Sequence, residues 1–189
     1  MNRAVFFDRD GTINYDPGYL KDPESVRLFE GVGSALRKLK KETGALLFVA
    51  SNQSGIDRGL MTVDDVESVN KKISEIIALD GAQIDYYYYC PHLPNYVPQS
   101  GYNLRKPEPG MLFLARDEYN IELQSSYMVG DSEVDMIAGI NAGVKTCLVL
   151  TGNGETSRKK LSEQGIVPDF IANSVVEACD FIINDVSRF

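Results

Sequence analysis

Short apolar runs alternate with helical patterns along the whole chain, and this alternation most constrains the fold. The runs are Ala4–Phe7, Ala45–Ala50, Ile84–Tyr89, Tyr127–Val129, Thr146–Leu150 and Phe170–Ala172. Each is too short for a helix and is bounded by turn formers, so each reads as a strand buried on both faces. Between them, Val32, Ala35, Leu36 and Leu39 recur at helical spacing up to Gly44. Val63, Val66, Val69, Ile73, Ile76 and Ile77 do the same after Thr62, which forms a capping box with Asp65. Pro109 opens a helical pattern over Gly110–Tyr119, and Ser132 with Asp135 and Ser174 with Glu177 make further capping pairs. Strands that alternate with helices pair in parallel and are covered on both faces. The expected fold is therefore α/β, a Rossmann-like three-layer sandwich with a mostly parallel sheet. Beyond single helices nothing long interrupts the early strands, so no large cap domain is expected. Residues 1–189 should form one domain, with Asn14–Pro23 and His92–Leu104 as the walls of any site.

Ligand sites in such sheets lie at the carboxyl ends of strands, and four strand ends carry chemistry. The first strand runs into Asp8-Arg9-Asp10-Gly11-Thr12. Strand alternation points Asp8 and Asp10 the same way and Arg9 elsewhere. Carboxylates held together repel unless a cation or a shared proton relieves them. A divalent metal with a phosphate, or an acid–base pair, gives the arrangement a purpose, whereas solvated acids before a turn are the plainer alternative. Gly11 favours a ligand, because glycine lets the backbone approach one closely.

The second strand ends in Ser51-Asn52-Gln53-Ser54-Gly55, which is ordinary loop chemistry in isolation and a plausible phosphate cradle at this position. Arg105-Lys106-Pro107 is either a solvated corner or a source of positive charge, with Lys106 aimed into the crevice and Arg105 forking onto a second anionic group. The fourth strand ends in Gly130-Asp131-Ser132-Glu133-Val134-Asp135, where helix capping and metal ligation are compatible readings.

Composition narrows the partners. A formal charge of −8 disfavours nucleic acid, which needs a basic face. The tyrosines Tyr86–Tyr89 read as strand residues packing on helices rather than as a base-stacking platform. No apolar run is long enough to span a membrane, and no leader is recognisable, so a cytoplasmic protein without membrane attachment is expected. Cys90, Cys147 and Cys179 are odd in number and widely spaced, which argues against disulfides.

Taken in order, DRDGT, SNQSG, RKPEPGM and GDSEVD resemble the four motifs of the haloacid dehalogenase superfamily of aspartate-nucleophile phosphatases. Within it, Asp16-Pro17-Gly18-Tyr19, Ser51–Gly59, Tyr89–His92, Arg105–Met111 and Ser126–Met136 look most like the D-glycero-D-manno-heptose 1,7-bisphosphate 7-phosphatases. Histidinol phosphatases share the layout.

The resemblance implies that Asp8 is the nucleophile and Asp10 the general acid and base, with Ser51 and Lys106 binding the phosphoryl group. It further implies Mg²⁺ held by Asp8, Asp131 and the Asp10 carbonyl, with Asp135 supporting the metal from behind. Asp16, Gly18, Tyr19, Asn52, Gln53, Ser54, Arg105 and Ser132 become the substrate-binding set. The implied substrate is a small phosphorylated sugar, the 7-phosphate of a heptose bisphosphate, with histidinol phosphate or another phosphomonoester as the alternative. A non-catalytic phosphate-binding protein is the alternative of another class, and a monomer is expected. Family members commonly carry a zinc site of two cysteine-containing pairs. Here only Cys90 and His92 remain, so zinc is not expected. Ser132 stands where the heptose enzymes often have lysine.

Overall fold

In the computed structural model, which describes residues 1–187, six parallel strands form one sheet in the order β3-β2-β1-β4-β5-β6. The strands are β1 (Ala4–Phe7), β2 (Leu46–Asn52), β3 (Tyr86–Cys90), β4 (Tyr127–Gly130), β5 (Lys145–Val149) and β6 (Phe170–Ala172). The α-helices are α1 (Val32–Thr43), α2 (Val63–Leu79), α3 (Gly110–Tyr119), α4 (Glu133–Ala142), α5 (Gly154–Glu163) and α6 (Val175–Val186).

Residue alternation builds the three layers. In β1, Val5 and Phe7 join one core with Leu36, Leu39, Val69, Ile73 and Ile182, while Ala4 and Phe6 join the other with Met111, Leu112 and Met128. Helices α1, α2 and α6 thus cover one face, and α3, α4 and α5 the other. The expected capping pairs form at Thr62 with Asp65, Ser132 with Asp135, and Ser174 with Glu177. Three tyrosines of β3 meet helices as expected: Tyr87 meets Ser74, Tyr88 donates to Glu118 and Tyr89 to Glu67, while Tyr86 is half exposed against Tyr88.

The sheet order reverses direction between β1 and β4, which opens a crevice at their carboxyl ends. Phe7 pairs with Val129, and the Asp8 N–H donates to the Val129 carbonyl at 2.8 Å. The residues after β1 and after β4 therefore emerge side by side. Between β1 and α1 lies only a short 3₁₀ helix, Pro23–Ser25, and no helical insertion separates β3 from α3.

Candidate active site

The crevice holds a cleft of about 220 Å³ lined by most of the residues singled out in the sequence: Asp8, Asp10, Asp16, Tyr19, Ser51, Asn52, Gln53, Ser54, Lys106, Asp131 and Ser132. At its floor one ammonium faces several acids. Lys106 Nζ lies 2.7 Å from Asp8 Oδ1 and 2.5 Å from Asp135 Oδ1, and it is 2% exposed. Asp131 joins them, with ligand atoms of Asp8, Asp131 and Asp135 all within 4.8 Å of one another. One lysine cannot balance three carboxylates. Burial, joined by the charges of Asp135 and Asp131, pushes Asp8 up to about 8 against the pull of Lys106. Burial and Asp135 likewise push Asp131 up to about 6. Burial disfavours the Lys106 ammonium, but Asp135 and Asp8 outweigh it and hold its pKa above the usual lysine range.

This donor set fits a hard divalent cation, which takes oxygen ligands and would supply the missing charge. The packing fits it too. A Cβ on Gly11 or Gly152 would overlap the Asp131 carboxylate, and both glycines have positive φ, +84° and +53°. The backbone therefore closes on Asp131 as no side chain would allow. Asp131 Oδ2 is anchored by the Asn153 N–H at 2.7 Å, and Thr151 Oγ1 donates to the Gly11 carbonyl at 2.7 Å.

Asp10 faces the same cleft but is held separately. Its Oδ2 accepts from Arg9 Nη2 and from Gln53 Nε2, both at 2.8 Å, and its Oδ1 accepts from Asn14 Nδ2 at 2.9 Å. Burial alone would raise its pKa, yet the Arg9 charge and the hydrogen bonds from Arg9, Asn14 and Gln53 outweigh it and hold Asp10 below the usual range. Arg9, expected to point elsewhere, lies outside the cleft lining and reaches Asn70, but its guanidinium also turns back onto Asp10, which was not expected. The strand ends at Phe7, and the N–H groups of Ile13 and Asn14 turn back onto the Arg9 carbonyl, so strict alternation no longer governs these side chains.

Several other expectations change. Arg105 lies outside the cleft lining, and its Nη1 donates to the His92 carbonyl at 2.7 Å. Residues 92–104 contribute nothing to the lining, because His92 stacks on Tyr96 and contacts Asp57 while Tyr102 packs on Phe113 of α3. Gly18 also stays out of the lining; its N–H donates to Asp16 Oδ1 at 2.7 Å and shapes that turn. The Ser132 hydroxyl lines the cleft but is spent on Asp135 Oδ2 at 2.5 Å. Asn52 binds the main chain of Lys106, and Gln53 Nε2 bridges Asp10 and Ser51 Oγ, each at 2.8 Å.

Gly55, from the expected cradle, completes the lining together with Val134 and Asn153, which were not singled out. For Asn153 a signal exists in Thr151-Gly152-Asn153-Gly154, a polar, glycine-rich stretch directly after a buried strand, the same pattern that marks Ser51–Gly55.

Residues 103–178 match the HAD-hydrolase-like family model. The chain is 40% identical over 178 residues to the D-glycero-β-D-manno-heptose-1,7-bisphosphate 7-phosphatase of Escherichia coli strain K12, covering 92% of this chain and 90% of that protein. It is 38% identical over 178 residues to the enzyme of the same name from Yersinia pestis, covering 92% of each. Among solved structures, the D,D-heptose 1,7-bisphosphate phosphatase of B. bronchiseptica, complexed with magnesium and phosphate, superposes with a TM-score of 0.85 at 28% identity, covering 97% of this chain and 99% of that one. With identity of this extent over nearly the whole length, and the same fold around the crevice, the chain belongs to the D-glycero-β-D-manno-heptose-1,7-bisphosphate 7-phosphatase family of HAD-like hydrolases and is a phosphatase.

Proposed function

We propose that this phosphatase removes the 7-phosphate of D-glycero-β-D-manno-heptose 1,7-bisphosphate through an aspartyl-phosphate on Asp8. The observation that carries the chemistry is the cluster of Asp8, Asp131 and Asp135 around Lys106 at the switch point of the sheet. The names of the relatives support the substrate.

In the first step an Asp8 oxygen attacks phosphorus, the bond from phosphorus to the sugar oxygen breaks, and that oxygen takes a proton from Asp10. A water then returns a proton to Asp10 and attacks the aspartyl-phosphate. The bond to Asp8 breaks and inorganic phosphate leaves. The donors around Asp10 favour its carboxylate, the form the second step needs, and an arriving phosphoryl dianion raises its proton affinity for the first. Lys106 and Ser51 bind phosphoryl oxygens. The Ser51 Oγ already accepts from Gln53 Nε2, so its own hydrogen is left to donate to the substrate. Asp16, Tyr19 and Ser54, on the cleft wall, are in line to meet the sugar. Asp8, Asp131 and the Asp10 carbonyl would hold Mg²⁺, with Asp135 behind them. When bound, the ion supplies Lewis-acid stabilisation of charge on the phosphoryl oxygens.

Zinc has no place in this reading. Cys90 is buried and the His92 ring is engaged by Asp57 and Tyr96, which supports leaving the pair without a metal. A monomer in the cytoplasm is part of the same proposal. The three free, buried cysteines suit a reducing compartment, and among the described residues no helix is long and apolar enough to cross a membrane.

The test is phosphate release across a panel of both anomers of the heptose bisphosphate and histidinol phosphate, with Mg²⁺ and with EDTA. The β-bisphosphate should turn over fastest and EDTA should stop it. Preference for histidinol phosphate would overturn the substrate. Phosphate binding without release from any of them would favour a binding protein. Asp8→Asn should abolish a hydroxylamine-sensitive phosphoenzyme.

A further inference from the structure

Helix α2 meets the sheet through Val66, Val69, Ile73 and Ile77, and one polar side chain, Asn70, stands among them at 5% exposure. A buried amide on an apolar face is costly unless it is hydrogen-bonded. Asn70 Oδ1 accepts from Arg9 Nη1 at 3.0 Å. The rest of that guanidinium is fixed on Asp10, with Nη2 2.8 Å and Nε 3.2 Å from Oδ2, and Nε 3.1 Å from Oδ1. Arg9 is itself only 1% exposed. A guanidinium is planar, so an acceptor that fixes one of its nitrogens also fixes the plane in which the others meet a carboxylate. Asn70 does not line the cleft, and its hydrogen-bonded route to it runs through Arg9.

We propose that Asn70 is a positioning residue for the phosphatase reaction: it sets the plane of the Arg9 guanidinium, which in turn aims the Asp10 carboxyl at the leaving oxygen. This rests on the assignment of Asp10 as proton donor made above. Misplacing a reacting group by about 1 Å is enough to slow a step about 100-fold, so a residue distant from the substrate has a measurable effect on the chemistry.

The experiment separates leaving groups. A sugar phosphate expels an alkoxide that must be protonated, whereas p-nitrophenyl phosphate expels a stable phenolate that need not be. kcat/KM for phosphoryl transfer to the enzyme is measured for the heptose bisphosphate and for p-nitrophenyl phosphate with saturating Mg²⁺, in the parent, Asp10→Asn, Asn70→Leu, Asn70→Asp and Arg9→Lys. Asn70→Leu and Arg9→Lys should each lower kcat/KM roughly 10- to 100-fold on the sugar phosphate and less than about threefold on the aryl phosphate. Combined, they should lose no more than either alone, because they break one linkage. Asn70→Asp keeps an oxygen facing Arg9 and should retain the parent's ratio between substrates. Equal losses on both substrates, additive losses in the double variant, or no loss would overturn the proposal. If Asn70→Leu does not fold, Asn70→Ala takes its place under the same outcomes. Should Asp10→Asn itself treat both substrates alike, the assignment of Asp10 falls and this proposal with it. Should Asp10→Asn discriminate while the Asn70 variants do not, the positioning role alone falls.

Discussion

Asn52 and Lys106 grip each other at two points: the Asn52 side-chain amide donates to the Lys106 carbonyl at 2.9 Å, and its oxygen accepts from the Lys106 N–H at 3.0 Å. The end of β2 is thereby tied to the backbone that presents the lysine. Asn52→Leu removes both bonds and leaves two main-chain groups without these partners, at a cost of about 1–3 kcal/mol each where water cannot reach them. The variant should melt earlier and turn over ~10- to 100-fold more slowly, because Lys106 is no longer held in register. Urea unfolding and kcat check the two effects.

Lys106→Met should be worse for chemistry than for any binding of metal. It removes the cation that faces both Asp8 and Asp135 and the donor assigned to the phosphoryl group. Loss of such a stabiliser lowers kcat by about 10²–10³. The two acids left facing each other should destabilise the metal-free protein by about 3–5 kcal/mol, and added Mg²⁺ should recover part of it. Turnover and melting with and without Mg²⁺ give the result.

Gly11→Ala and Gly152→Ala test the backbone cradle around Asp131. Each adds a methyl group where the carboxylate already sits, at a backbone conformation that disfavours it. Left-handed strain alone costs about 1–2 kcal/mol, and displacement of Asp131 adds to it. Magnesium affinity by calorimetry should fall in both variants, and Gly59→Ala, also at positive φ but with open space around it, should leave that affinity unchanged.

Acidity makes a further prediction. In the metal-free protein Asp8 is pushed up to about 8 and Asp131 to about 6, both above the ordinary 3.8. A raised folded-state pKa means that the folded protein holds its protons more tightly than the unfolded chain. The associated stability is present in full below about pH 4 and is lost as pH rises through about 6 and then 8. The metal-free protein should therefore lose stability across that window. Magnesium competes with the same protons, so its apparent affinity should climb by up to about tenfold per pH unit between about 6 and 8, where Asp8 alone is protonated, and more steeply below about 6, with measurable proton release on binding. Calorimetry in buffers of different ionisation enthalpy counts those protons. An affinity flat with pH would contradict the assignment of ligands.

Much of this was legible because strand ends are short, local signals. Asp8, Ser51 and Asp131 each follow or end an apolar run, and parallel pairing brings such ends together. Lys106 was legible for a different reason: a crowd of acids requires a cation, and few are near in the chain. What escaped depended on long-range packing. Arg9 and Asn70 are 61 residues apart, and an asparagine on an apolar helix face carries no sign of its partner. Arg105 looked like a fork for a second anion because nothing in the sequence reveals that the His92 carbonyl occupies it. Its withdrawal leaves Asp16 and Tyr19, neither of them cationic, on the open wall.

The pairing of Phe7 with Val129 fixes the separation of Asp8 and Asp131 through the hydrogen-bond ladder of the sheet itself. Asp16 and Tyr19, by contrast, sit on a connecting turn, shaped by the Gly18 N–H on Asp16 Oδ1 and anchored by Leu20, which is buried in the core. Under the proposed assignment, the chemistry is thus mounted on the sheet and recognition on a connecting turn. On that assignment, exchanges in the turn should alter the preferred substrate while leaving Asp8, Asp131 and Lys106 in place, so a lineage built on this frame could sample new phosphate esters without rebuilding its chemistry.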